Sequence, residues 1–232
     1  MTDIFKVDKF QFPYNYKFPG QASTERILYV TRENRLLLVI RKLFVAIVGL
    51  VLFSLGVILT QVSELIFGET FGSFFQLGMI LLTAAFVGLG WWWVTTTWKK
   101  SLAMVTTTRL MKFIYTTPVS RYSLALPLEM IVDTGAYTKG FAQTFLKLST
   151  FIARSSASSS GVATADTSRI NKKYFYIENI KCAEDLQHYV SKLLSAFRKQ
   201  PAKLNKFRPF IANLKGEARA EFIKERFPEF WS

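Results

Sequence analysis

Two uncharged apolar runs constrain this chain more than anything else in it. Leu43–Val62 reads LFVAIVGLVLFSLGVILTQV, and Phe74–Val94 reads FFQLGMILLTAAFVGLGWWWV. The hydrocarbon core of a bilayer, about 30 Å thick, takes about 20 apolar residues in a helix. A helix also satisfies its own backbone polar groups, as lipid demands. One such run suits the core helix of a soluble protein. Two in succession, each flanked by bases, predict a transmembrane pair. The connection Ser63–Thr70 is short, so the pair forms an antiparallel hairpin. Neither run holds an ionisable group, which argues against a proton or ion route through it.

Basic residues set the expected orientation. Arg26, Arg32, Arg35, Arg41 and Lys42 precede the first run, and Lys99, Lys100, Arg109 and Lys112 follow the second. The connecting loop has none, so both termini are expected on the cytoplasmic side of a multi-pass protein. Trp91, Trp92, Trp93 and Trp98 fall where the second helix leaves the lipid, and indoles favour that interface. With Arg41, Lys42, Lys99 and Lys100 they make a membrane-interface set. A tryptophan binding platform is the sharper alternative to this belt. Ala84 and Gly88, with Gly90 nearby, are small enough for close helix approach, within the hairpin or in a dimer. Thr31 is the expected N-cap of a first helix that starts ahead of its apolar run.

The net charge of +14 sits mostly from Lys99 onward, where 22 bases face 10 acids. Such a balance suits nucleic acid or anionic lipid. Because the bases flank the spans, a bilayer with anionic headgroups is the expected partner and nucleic acid is not. Residues for catalysis are few. His188 is the sole histidine and Cys182 the sole cysteine, which excludes an internal disulfide and leaves no paired Cys/His spacing for a metal. No cofactor motif is present, and the expectation is a non-enzymatic protein.

Four segments follow. Residues 1–42 form a cytoplasmic arm and juxtamembrane helix, and 43–98 the hairpin. Residues 99–197 form a cytoplasmic strand domain, and 198–232 a basic extension. In the arm, Phe10, Phe12, Tyr14, Tyr16 and Phe18 alternate on one face of an extended segment, broken by Pro13 and Pro19. That face either packs on the domain or docks into a neighbour. Beyond Lys100 the apolar period becomes two. Strands are expected over Ser101–Thr108, Leu110–Thr117, Tyr122–Leu126, Leu128–Thr134, Phe145–Arg154 and Lys173–Glu178. Leu186, Val190, Leu193, Leu194 and Phe197 then form a helical stripe. Ser155–Ser168 reads as a linker. The extension carries a short helix over Gly216–Phe227, either lying on the membrane or packed on the domain.

The order of these parts, with the strand hairpin around TTTRLM, the stretch PLEMIVDT, IENI leading into a helix near Ala183, and GQASTERILYV ahead of the first span, resembles the bacterial PH-like (pleckstrin-homology-like), membrane-flanked domain family over about residues 20–197. The resemblance implies a mainly-β barrel of two near-orthogonal antiparallel sheets capped by a C-terminal helix, in a prokaryotic cell membrane. It also implies a non-enzymatic role in assembly or lipid contact. The expected function is a self-associating scaffold module that touches anionic lipid, as a homo-oligomer or with other membrane proteins. The alternatives are a receptor for a lipid headgroup or small ligand near Arg109, Lys112, Arg121 and Lys139, and an accessory subunit of a transport or secretion complex. The aromatic arm, the Ser/Ala loop and the extension depart from the family.

Overall fold

The computed structural model describes Phe18, residues 20–156 (Ala142 by its backbone alone), 174–199, Leu204, 207–212, Leu214 and 216–226. The aromatic arm up to residue 17 and most of the Ser/Ala loop lie outside these. Two compact units divide the chain. One is 35–100 with the turn 115–120; the other is the chain up to Asn34, 101–114 and everything from Arg121 on.

The first unit is the helical hairpin, α1 (Arg35–Phe67) and α2 (Glu69–Lys100). At 1.5 Å per residue each is about 50 Å long. Only Gly68 connects them, at φ +90, where a side chain is strained, and its amide donates to the Glu64 carbonyl at 3.0 Å. The turn is therefore tighter than the loop read from sequence. Close approach comes from glycines on both helices, Gly49 and Gly56 of α1 and Gly72 and Gly90 of α2. A Cβ on Gly49 would clash with Val87 Cγ2, whereas one on Gly88 would meet nothing. Gly88 thus faces open space, and the spacing of Ala84 and Gly88 is not what brings these helices together. Only 17 % of the most apolar stretch of α1 is buried within the structure, and none of that of α2. These are not core helices. They are two helices long and apolar enough to cross a membrane.

Among its described residues the second unit holds seven strands. β1 (Ile27–Thr31), β2 (Leu102–Thr106), β3 (Arg109–Tyr115) and β4 (Arg121–Pro127) form one sheet in chain order. β5 (Ile131–Tyr137), β6 (Ser149–Ser155) and β7 (Tyr174–Ile180) form another. The two antiparallel sheets expected above are present, and among the described residues no ladder joins them into a closed barrel. β4 ends at Pro127, which has no amide to donate to a ladder. A 3-10 turn, Leu128–Met130, then carries the chain into the second sheet.

β1 was not expected as a strand. Thr31 pairs with Ala103 and Val30 with Met104, so Thr31 ends a strand and caps no helix. The helical hairpin is thereby an insertion between two neighbouring strands. Between β5 and β6, α3 (Phe141–Phe145) replaces the start of the strand expected from Phe145. In β7, Phe175 and Ile177 point inward, and Asn179 at φ +58 adds a residue that returns Ile180 to the core.

α4 (Ala183–Lys199) buries Leu186, Val190 and Leu193 with Phe151, Phe175, Leu110 and Leu28. Its acids Glu184 and Asp185 stand in the first turn and Arg198 and Lys199 in the last, as the helix dipole favours. The extension packs back on this core. The Phe210 amide donates to the Leu28 carbonyl at 2.9 Å, and Phe210 meets Tyr29 edge-on at 4.9 Å. α5 (Gly216–Arg226) buries Ile223 against Ile211. Of the two readings of the extension, the packed one describes these residues.

Candidate membrane interface

The interface set falls on α1 and α2. Arg41, Lys99 and Lys100 are exposed and Lys42 is half-buried. Trp91, Trp92 and Trp93 are exposed, and Trp98 is buried. Successive helical residues point about 100° apart. Three consecutive indoles therefore fan around α2 as a collar, which suits a belt better than a flat platform. Trp91 Nε1–H donates to the Lys42 carbonyl at 3.1 Å, and Lys42 Nζ lies 5.9 Å from the centre of the Trp91 ring. The tryptophan collar and the basic end of the first apolar run thus share one level of the hairpin. Lys100 Nζ donates to the Pro118 carbonyl at 2.9 Å and lies over Tyr115.

The four candidate headgroup residues have different neighbours. The Arg109 guanidinium makes a two-point pair with Glu25: Nε to Oε1 at 3.0 Å and Nη2 to Oε2 at 2.9 Å. It also donates to the Gly20 carbonyl and covers the Phe18 ring. Glu25 is 3 % exposed. Its burial pushes the pKa up, but hydrogen bonds from Arg109, Thr106, Thr108 and the Ala22 amide outweigh that and hold it at about 2. Arg109 is therefore committed to a clasp that fastens the lead-in segment to the β2–β3 turn. Lys112 faces Glu178 at 3.7 Å. Arg121 lies over Phe113 at 5.4 Å. Lys139 is exposed, at the turn before α3.

Two features had no expectation attached. One is a cleft of about 430 Å³ lined by Tyr189, Lys192, Arg208 and Arg219, among others. Arg219 covers both Tyr189 and Phe210 and donates to the Pro209 carbonyl at 2.7 Å. Burial pushes its pKa down, and neighbouring Arg208 adds to that. The other is α3, where Phe141 and Phe145 stand 85 % and 74 % exposed. Alternation hid this pair, because Phe145 continues a plausible strand pattern into β6. Among the described residues no group of acids, His and Cys gathers to hold a metal ion. Cys182 is buried 3.7 Å from the Tyr29 hydroxyl, and burial pushes its thiol pKa up, opposite to what a nucleophile needs.

Fold and interface define a class: a strand-rich domain interrupted by a hairpin of two lipid-length helices. Comparison with known proteins finds no family model, no curated protein and no solved structure that matches the chain.

Proposed function

We propose that the chain is a membrane-anchored interaction module of the prokaryotic cell membrane, with both termini cytoplasmic and a PH-like domain that self-associates and contacts anionic lipid. The observation that carries this is the hairpin. Side chains such as Phe44, Leu50, Leu65, Phe74 and Leu89 are more than half exposed along both helices, which water tolerates poorly and lipid requires. The PH-like reading draws support from element order: four strands, then three, then a closing helix. The lipid reading draws support from the bases at the collar and the net charge of +14. The role is positioning, and no reaction is assigned. Reconstitution of the full chain into vesicles tests it. Resistance to alkaline extraction, protease access to 216–226 from the basic-flank side only, and a stable oligomer in mild detergent support the reading. Release by alkali, or a monomer at every concentration, overturns its anchoring or its scaffold part.

A second reading, a receptor for a small anionic ligand, is favoured by the cleft beside Lys192, Arg208 and Arg219 rather than by the four bases first considered. Saturable binding of inorganic phosphate or a soluble headgroup, lost in Arg219→Glu, would select it.

A further inference from the structure

We propose that α3 is a second, shallow membrane contact, with Phe141 and Phe145 entering the lipid interface and Lys139 and Lys147 meeting anionic headgroups. The inference rests on the anchored reading above and names a surface of the domain that touches lipid.

The two rings stand one helical turn apart and stack at 5.9 Å, 14° from parallel. Both are almost fully exposed, in a unit that buries aromatics of equal size such as Phe151 and Phe175. Their exposure is held by construction. Gln143, between them in sequence, is the face of α3 that binds the body. Its Oε1 accepts from the Lys139 amide at 2.9 Å, and its Nε2 donates to Thr150 Oγ1 at 3.1 Å and Asn179 Oδ1 at 2.9 Å. The helix ends in a Schellman pattern, Lys147 N–H to the Thr144 carbonyl at 3.3 Å and Leu148 N–H to the Gln143 carbonyl at 2.8 Å. The left-handed residue of that cap usually is glycine, yet here it is Lys147, at φ +51. A strained lysine and the exposed Lys139 thus bracket a rigidly presented phenylalanine pair.

The location argues for lipid over another occupant. Asn179 passes the link on: its Nδ2 donates to Glu33 Oε1 at 2.8 Å, and its carbonyl accepts from the Asn34 amide at 3.3 Å. Asn34 is the residue before α1 begins. A chain of hydrogen bonds therefore ties the phenylalanine pair to the point where the polypeptide leaves the domain for the hairpin. Apolar tips flanked by lysines at such a point match an anionic bilayer surface in both polarity and charge.

The test uses the full chain with Cys182→Ala, reconstituted into vesicles of phosphatidylcholine and phosphatidylglycerol. Single nitroxide labels are placed through Phe145→Cys, Phe141→Cys, Ile58→Cys and Ser195→Cys. Accessibility to oxygen against a neutral nickel chelate reads depth. The expected result is lipid exposure at 58, interfacial exposure at 145 and 141, and water at 195. Lys139→Glu with Lys147→Glu, or vesicles without phosphatidylglycerol, should shift the 145 label toward water. Water-like values at 145 and 141 with lipid at 58 overturn the inference and leave the anchored reading standing. Water at 58 overturns that reading and the inference with it. Insensitivity of the 145 label to lipid charge overturns the headgroup role of the lysines.

Discussion

Glu25 and Arg109 form a bidentate ion pair across 84 residues of sequence, with the entire helical hairpin between them. The Glu25 carboxylate is buried, and Thr106 Oγ1 adds a contact at 2.6 Å. Removing Arg109 leaves the buried carboxylate without its cation. Arg109→Ala should destabilise the strand unit by about 3 kcal/mol, as for other broken pairs with one buried charge. The folded pKa of about 2 lies below the ordinary value of 4.5. The pair's stabilisation is thus complete above about pH 4.5 and is lost as pH falls toward 2. Glu25→Gln should flatten the acid limb of the stability curve in that window, measured by denaturant titration in detergent.

Gly49 is set against Val87. Gly49→Leu should separate the helices and lower hairpin stability by about 1–3 kcal/mol. Val87→Ala should restore part of it, because the closest atom to an added Cβ is Val87 Cγ2. Thermal unfolding in detergent by circular dichroism reads both.

Asn179 separates backbone strain from hydrogen bonding. Asn179→Gly keeps the φ of +58 without cost and loses the bonds to Gln143 and Glu33, at about 1 kcal/mol each. Asn179→Ala loses the bonds and adds left-handed strain of about 1 kcal/mol. The alanine variant should therefore be the less stable by denaturant titration.

A fragment beginning at Ser101 lacks β1. It leaves the β2 edge unpaired, with the buried residues Ala103 and Val105 uncovered, so it should aggregate on size-exclusion chromatography. The same fragment fused behind residues 18–34 through a flexible linker should run as a discrete species.

Cys182 should label slowly. Its thiol is buried against Tyr29, and its raised pKa leaves little thiolate at neutral pH. Maleimide should react at the rate of unfolding, and quickly in denaturant.

The local patterns read well. The apolar runs of α1 and α2 are long and unbroken, and the stripe of α4 repeats at helical spacing. How the two sheets meet was not legible, because strand periodicity says nothing of where a ladder stops. β1 hid for a related reason. Ile27–Thr31 finds its partner some 70 residues on, and its neighbour Arg32 begins a base-rich stretch that reads as helix. The Glu25–Arg109 clasp left no local trace either, since a single acid in a polar segment looks solvated. Charge marks Arg109 in the sequence, but the buried carboxylate of Glu25 that it pairs with lies 84 residues away and leaves no local pattern. The phenylalanine pair of α3 was masked by the strand-like FLKLSTFIAR that overlaps it.

The insertion of the hairpin between β1 and β2 also dictates an order of synthesis. When β1 leaves the ribosome its partner does not yet exist, and about 70 residues, nearly all of them helix, must emerge first. The four-stranded sheet can begin to assemble only after both helices have been made. Until both helices have been made, β1 has no mate and Glu25 no Arg109, so the sheet edge and the buried carboxylate both wait on the completion of the hairpin.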